Sequence, residues 1–476
     1  MSPTIGPPPG SPAPPGGERP APGAADAHAP SGSPGSAGER PGAQGRPRVA
    51  RTDRLTTVWL CLAVLAAGAT TVFRTALPQP LWTTIHLVTL GVLTNGILQW
   101  SWYFARALLR LPPGDRHSGR DNTRRILALN AALVVLIASM WAEWAPGAVV
   151  GATGVGAVAA WHGLALVVAA RTRLASRFAV VLRYYAAAAA FLVLAAVLAG
   201  LVATAAFAAS APQWLVGARS AITVAHAIAG VGGWVGLTMG GTIVTLGPTA
   251  VRTRMDPRAV DLASLALPVW AAGLLAAVTG ALAGHMRAVA AGLAVVGLAA
   301  AAGIAYPLAR AAMRKGPSEY GSWSMCLGTA WILVGVAVVA QHAWAAGTGE
   351  QLRAANLPWL PIIGAGGLGQ VFIGALTYLM PVVIGGGPRA VRVGVGALEA
   401  AAPMREAARN AALVLLAAAP ASQAPAAAPL ATACWAVVLA TYLADIVLMA
   451  RAGTAQARAR TAPPSPSPSN TGGPRG

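Results

Sequence analysis

Residues 186–209 read AAAAAFLVLAAVLAGLVATAAFAA, a run with no charged side chain and a single hydroxyl, Thr204. About 20 such residues in a helix cover the ~30 Å hydrocarbon core of a bilayer. A helix that is apolar on every face cannot sit half-exposed to water. The stretch therefore reads as one transmembrane span. The same texture extends in both directions. Of the 476 residues, 56% are apolar and only 10% are charged, against about 25% charged in an average soluble domain. An ordinary soluble enzyme is excluded.

Working outward, twelve apolar runs follow, at roughly 55–76, 81–110, 124–143, 147–170, 178–209, 217–248, 260–284, 288–313, 322–346, 357–384, 404–420 and 429–450. The last two are separated only by a Pro- and Ala-rich stretch at 420–429. The fold class is an all-α membrane protein of about twelve spans, occupying residues 51–453. Residues 1–50 are rich in Pro and Gly, and 454–476 are similar in kind. Neither stretch has enough apolar surface to offset its ordering entropy, so both are expected to be disordered tails.

The net charge of +20 does not mark a nucleic-acid binder. The basic residues, all Arg except Lys315, lie in short clusters between the runs. With the N-terminus inside, 30 of the 34 fall on the inner side, leaving Arg74, Arg219, Arg287 and Arg353 outside. That asymmetry is the positive-inside pattern. It places both termini in the cytoplasm and the lipid bilayer of a bacterial cell membrane around the helices. The loops are short, so a soluble redox partner, a periplasmic or extracellular copper protein or cytochrome, is expected to be a separate chain.

Ionisable groups at membrane depth are costly and mark function. No carboxylate is expected near the middle of a span. Glu143 and Asp261 fall at helix ends, and Asp445 is placed at the inner end of the last run, six residues before Arg451. A proton-coupled carrier usually needs such an acid. The three cysteines, Cys61, Cys326 and Cys434, have no metal-ligand spacing and read as buried thiols.

Histidine is more informative. His86, His226 and His342 all fall in the outer half of their runs, at similar depth by the ~1.5 Å rise per residue. Three imidazoles at one level on three helices suit a haem or another metal. Each also suits a helix–helix hydrogen bond. His285 with Met286, at an outer tip, is a candidate copper pair or an interfacial pair. His162, in the inner half, reads as a packing residue.

From His226 the chain reads HAIAGVGGWVGLTMGGTIVTLGPTAVRTRM, with Gly241 fifteen and Pro248 twenty-two residues after the His. This resembles the haem-ligand helix of haem–copper oxidase subunit I and its nitric oxide reductase relatives. The tenth run, GQVFIGALTYLMPVVIGGGP, resembles the same family's ending through Gly374, Tyr378, Leu379 and Pro381, with Trp359 at the His position. The second run, IHLVTLGVLTNGILQWSWYFARALLRLP, is similar to the outer His helix of NnrS-type haem- and copper-containing membrane proteins. The resemblance implies an oxidase-like fold, with three four-helix quasi-repeats headed by runs 2, 6 and 10. It also implies haem bound through His86, His226 and His342, and a role in electron transfer or nitric oxide and nitrite handling near a copper enzyme. Dioxygen reduction is not implied. Gly230 stands four after His226, the seventh run has no His before His285, and the tenth has none. Two other readings stay open: a metal-free small-solute transporter, and a non-catalytic assembly or sensor subunit.

Overall fold

The computed structural model describes residues 58–59, 61–66, 68–69, 73, 77–110, 120–171, 179–418 and 427–461. They form helices, which we number in chain order. α1 is Pro80–Leu109, α2 Arg120–Trp141, α3 Ala145–Arg171, α4 Ala179–Phe207 and α5 Gln213–Ala250. α6 is Ala259–Leu282, α7 Met286–Arg314 and α8 Tyr320–Ala345. The short α9, Gly349–Asn356, precedes α10, Leu360–Ile384. Then come α11, Gly387–Leu398, α12, Ala402–Ala418, and α13, Ala427–Thr461.

Ten of these helices, α1 to α8, α10 and α13, are long and apolar enough to cross a membrane. The chain is thus an all-α, multi-pass integral membrane protein. Half of the first expected span, 55–76, lies outside the described residues, and its described residues 58–59, 61–66 and 68–69 are helical. The stretches 1–50 and 462–476 lie wholly outside them. The eleventh expected span exists as α12, with 17 helical residues among those described.

The end of the chain departs from the sequence reading. The last helix does not stop near 450 but runs to Thr461, so 454–461 are helix rather than tail. Asp445, placed by the sequence at a helix end, lies inside α13 and is 1% exposed. The expectation that no carboxylate falls near the middle of a span is corrected on this point. Its charge is tolerated because two arginines reach it across the bundle.

Neighbours in sequence pack as neighbours in space: α2 on α3, α3 on α4, α6 on α7. Small residues let the backbones close up. A Cβ on Gly374 of α10 would lie 2.8 Å from the Gly321 carbonyl oxygen of α8, and a Cβ on Gly321 would lie 2.8 Å from the Gly374 oxygen. α8 and α10 therefore cross with their backbones in direct contact. The main apolar core includes Trp102, Tyr184, Trp234 and Trp270. A smaller cluster around Leu413 and Val438 joins α10, α12 and α13.

Four spans are interrupted by π-helical turns. They cover Leu87–Thr94 in α1, Ile228–Gly236 in α5, Ala301–Ala305 in α7 and Ile363–Gly369 in α10. A π turn changes the phase of everything beyond it and concentrates at functional sites.

Candidate functional site

His86 ends the α-helical first part of α1, and the π segment starts at the next residue. His226 lies two residues before the π segment of α5. The two π segments touch one another, which brings the histidines together. Their ring centroids are 6.2 Å apart and their planes differ by 13°.

Both imidazoles are anchored on the same side. His86 Nδ1 is 2.8 Å from the Trp82 carbonyl, one turn back, and His226 Nδ1 is 2.9 Å from the Ala195 carbonyl of α4. A carbonyl only accepts, so each Nδ1 carries the proton and donates. Each Nε2 is then left with its lone pair, and neither has a hydrogen-bond partner among the described residues. This is the tautomer and orientation that a second-sphere carbonyl imposes on a metal-binding histidine. The Trp82 ring stacks on His86 at 4.1 Å. Gly230, one turn past His226, leaves the adjoining wall low: a Cβ there would meet only Ala195 Cβ, at 3.8 Å.

Two turns deeper on the same helices, Trp234 Nε1 donates to Thr94 Oγ1 at 2.8 Å. His162 comes next, fully buried between the edges of Trp102 and Trp234 at 6.4 and 6.5 Å. Ser101 Oγ donates to the Ile97 carbonyl and accepts from His162 Nε2 at 2.9 Å, while His162 Nδ1 has no partner. His162 is thus a hydrogen-bonded packing residue, as its sequence setting suggested.

The other candidates have surroundings of their own. His342 Nδ1 is 2.8 Å from Asn356 Oδ1 at the end of α9. His285 is exposed before α7, and Met286 is buried beneath it. Among the described residues no three His, Cys, Asp or Glu side chains gather in a cluster.

A second polar centre escaped the sequence reading. Asp445 accepts from both Arg405 and Arg409 and from the Tyr320 hydroxyl at 2.7 Å. Arg409 also donates to Thr441 Oγ1 and Tyr320 Oη, at 3.1 and 2.9 Å. The Arg405 guanidinium lies over Tyr320 at 4.0 Å, and Arg409 over Tyr442 at 4.1 Å. Glu406 accepts from Ser324 and Asn410, and Asn410 pairs side by side with Gln370. Beside this network is a cavity of about 550 Å³. The signal was present in the spacing of Arg405 and Arg409, one helical turn apart. It was counted instead as part of an inner loop.

Compared with family models and with curated proteins, the chain matches none.

Proposed function

We propose that the protein is an integral membrane haem protein in which His86 and His226 would hold the iron. The observation that carries this is the close, near-parallel pair, each Nδ1 spent on a carbonyl and each Nε2 without a hydrogen-bond partner among the described residues. The near-parallel rings 6.2 Å apart and the low wall at Gly230 and Ala195 suit a flat macrocycle held by imidazole nitrogens. Haem would supply a reversible one-electron change at this position.

Were both histidines to hold the iron, electron transfer would be the role the pair favours. Nitric oxide or nitrite handling would require one histidine to yield its place. His342, held by Asn356, is the nearest reserve candidate by depth. The oxidase-like resemblance draws on three of the four π segments, those of α1, α5 and α10. These are the second, sixth and tenth expected spans, those that would head three quasi-repeats. The fourth π segment, in α7, lies in the eighth expected span and heads no repeat. The Arg-poor face, where the pair sits, would meet an external redox partner, and the Arg-rich face with both termini would lie in the cytoplasm.

The test is an absorption spectrum of purified protein, oxidised and dithionite-reduced, with iron and copper analysis of the same sample. The parent should show one haem per chain with sharp reduced bands. His86→Ala and His226→Ala should each lose the two-ligand spectrum. Full haem with unchanged bands in both variants would remove these residues from the site.

A further inference from the structure

The cavity between the start of α8 and the start of α12 belongs to neither the histidine pair nor any reading of the sequence. Its polar walls are Ser318, Tyr320, Glu399, Glu406 and Asn410, and its apolar walls include Trp323 and Leu327. Its hydrogen-bonding capacity can be counted group by group.

The Tyr320 hydroxyl is committed to Asp445 and Arg409. The Asn410 amide donates to Gln370 and to the Glu406 carbonyl, and its oxygen accepts from Trp331 and Gln370. Neither Arg405 nor Arg409 lines the cavity. Arg405 serves Asp445 and the Leu398 and Ala400 carbonyls, and Arg409 serves Asp445, Thr441 and Tyr320. Arg252, near the rim, is paired with Glu319. Spare capacity remains mainly on two carboxylates. Glu406 accepts from Ser324 and Asn410, and Glu399 accepts the Tyr320 backbone N–H on both oxygens at 3.0 Å. A carboxylate offers about four lone-pair sites, so each has room for a further donor.

The charge count agrees. Arg405 and Arg409 balance Asp445 and Glu406, leaving Glu399 as the surplus negative charge. Glu399 lies between α11 and α12, outside the apolar spans. Burial pushes its carboxyl above the ordinary value, Glu319 adds to this, and the Tyr320 N–H, Arg405 and Arg252 oppose it. A cation in the cavity would relieve that penalty. Trp323, 46% exposed at the mouth, offers a ring face to such a cation.

We infer that this cavity binds an ammonium group carried on an apolar body, with Glu399 and Glu406 as acceptors and Trp323 as the aromatic wall. The same chemistry comes from a soluble aryl-alkyl amine or from the headgroup of an aminophospholipid. The site is independent of the haem reading.

The probe is radiolabelled 2-phenylethylammonium, with 2-phenylethanol as the neutral control. Binding is measured on the full chain in nanodiscs of phosphatidylglycerol alone, against empty discs. The expected result is saturable binding near one per chain, none for the alcohol, and no change in His86→Ala or His226→Ala. The Glu399→Gln/Glu406→Gln double variant should bind at least tenfold more weakly. Ala407→Phe, which fills the cavity from an exposed position and keeps both carboxylates, should do the same. Adding phosphatidylethanolamine to the discs separates the sources. Competition identifies the lipid headgroup, and unchanged binding a soluble amine. Absence of saturable binding, equal binding of the alcohol, or binding indifferent to Ala407→Phe would overturn the inference.

Discussion

A carbonyl oxygen decides the chemistry of each paired histidine. By taking the Nδ1 proton, the Trp82 and Ala195 carbonyls fix which nitrogen is free, and with it what His86 and His226 can bind. The same accounting explains why four charged side chains survive inside the second centre. Asp445 is shared by Arg405 and Arg409, whose remaining donors reach hydroxyls and carbonyls. Removing one member of such a set strands its partners in a medium that cannot solvate them. Asp445→Ala is therefore expected to destabilise the protein by about 3–5 kcal/mol, and Asp445→Asn by less. Thermal unfolding in detergent, at matched lipid content, measures both. A loss under about 1 kcal/mol for the alanine variant would mean that the arginines find other partners.

The π segments do the work of alignment between residue and bundle. An α-helix turns by about 100° per residue, so one residue more or fewer between His226 and the inner end of α5 swings the imidazole off its neighbour. Deleting Val231 from the Ile228–Gly236 segment should restore plain α-helix there. The chain should still insert, because its apolar length barely changes, but haem content should fall towards that of His226→Ala. Full haem in the deletion variant would show that helix phase does not set the pair. Helix pairs are held at contact distance by different means, as at Gly321 and Gly374, where a Cβ on either would press on the other backbone. The runs and their order were legible in the sequence. The π turns were not, because they arise from packing between spans and have no residue code stronger than local glycine.

Across the whole molecule, the arginine distribution predicts which face is which. Arg254 follows α5 and is exposed, and Arg287 lies at the opposite end of α6, at the start of α7, and is also exposed. In a background without Cys61, Cys326 and Cys434, a cysteine at 287 should react with an impermeant maleimide on intact cells. A cysteine at 254 should react only after permeabilisation. The reverse pattern would invert the protein and put the histidine pair on the cytoplasmic side. The two polar centres lie on different helices: the pair on α1 and α5, the carboxylate cavity on α8 and α12. A variant at one should leave the other intact.

Apolar run length and loop charge alone determined that this chain is a multi-pass helical membrane protein. Both follow from the thickness and surface chemistry of the bilayer, which act on each segment separately. The depth of His86 and His226 was likewise legible, since rise per residue is a local property. Their pairing was not. Depth says nothing of azimuth, and azimuth depends on helix phase and crossing. Asp445 shows the same limit from the other side. Near the end of its apolar run it looked like a helix-end acid. Only the fold brought α12 beside α13, so that two arginines counted as loop charge became its buried partners. The cost of burying a charge is settled by what neighbouring helices supply, and only the tertiary structure states that.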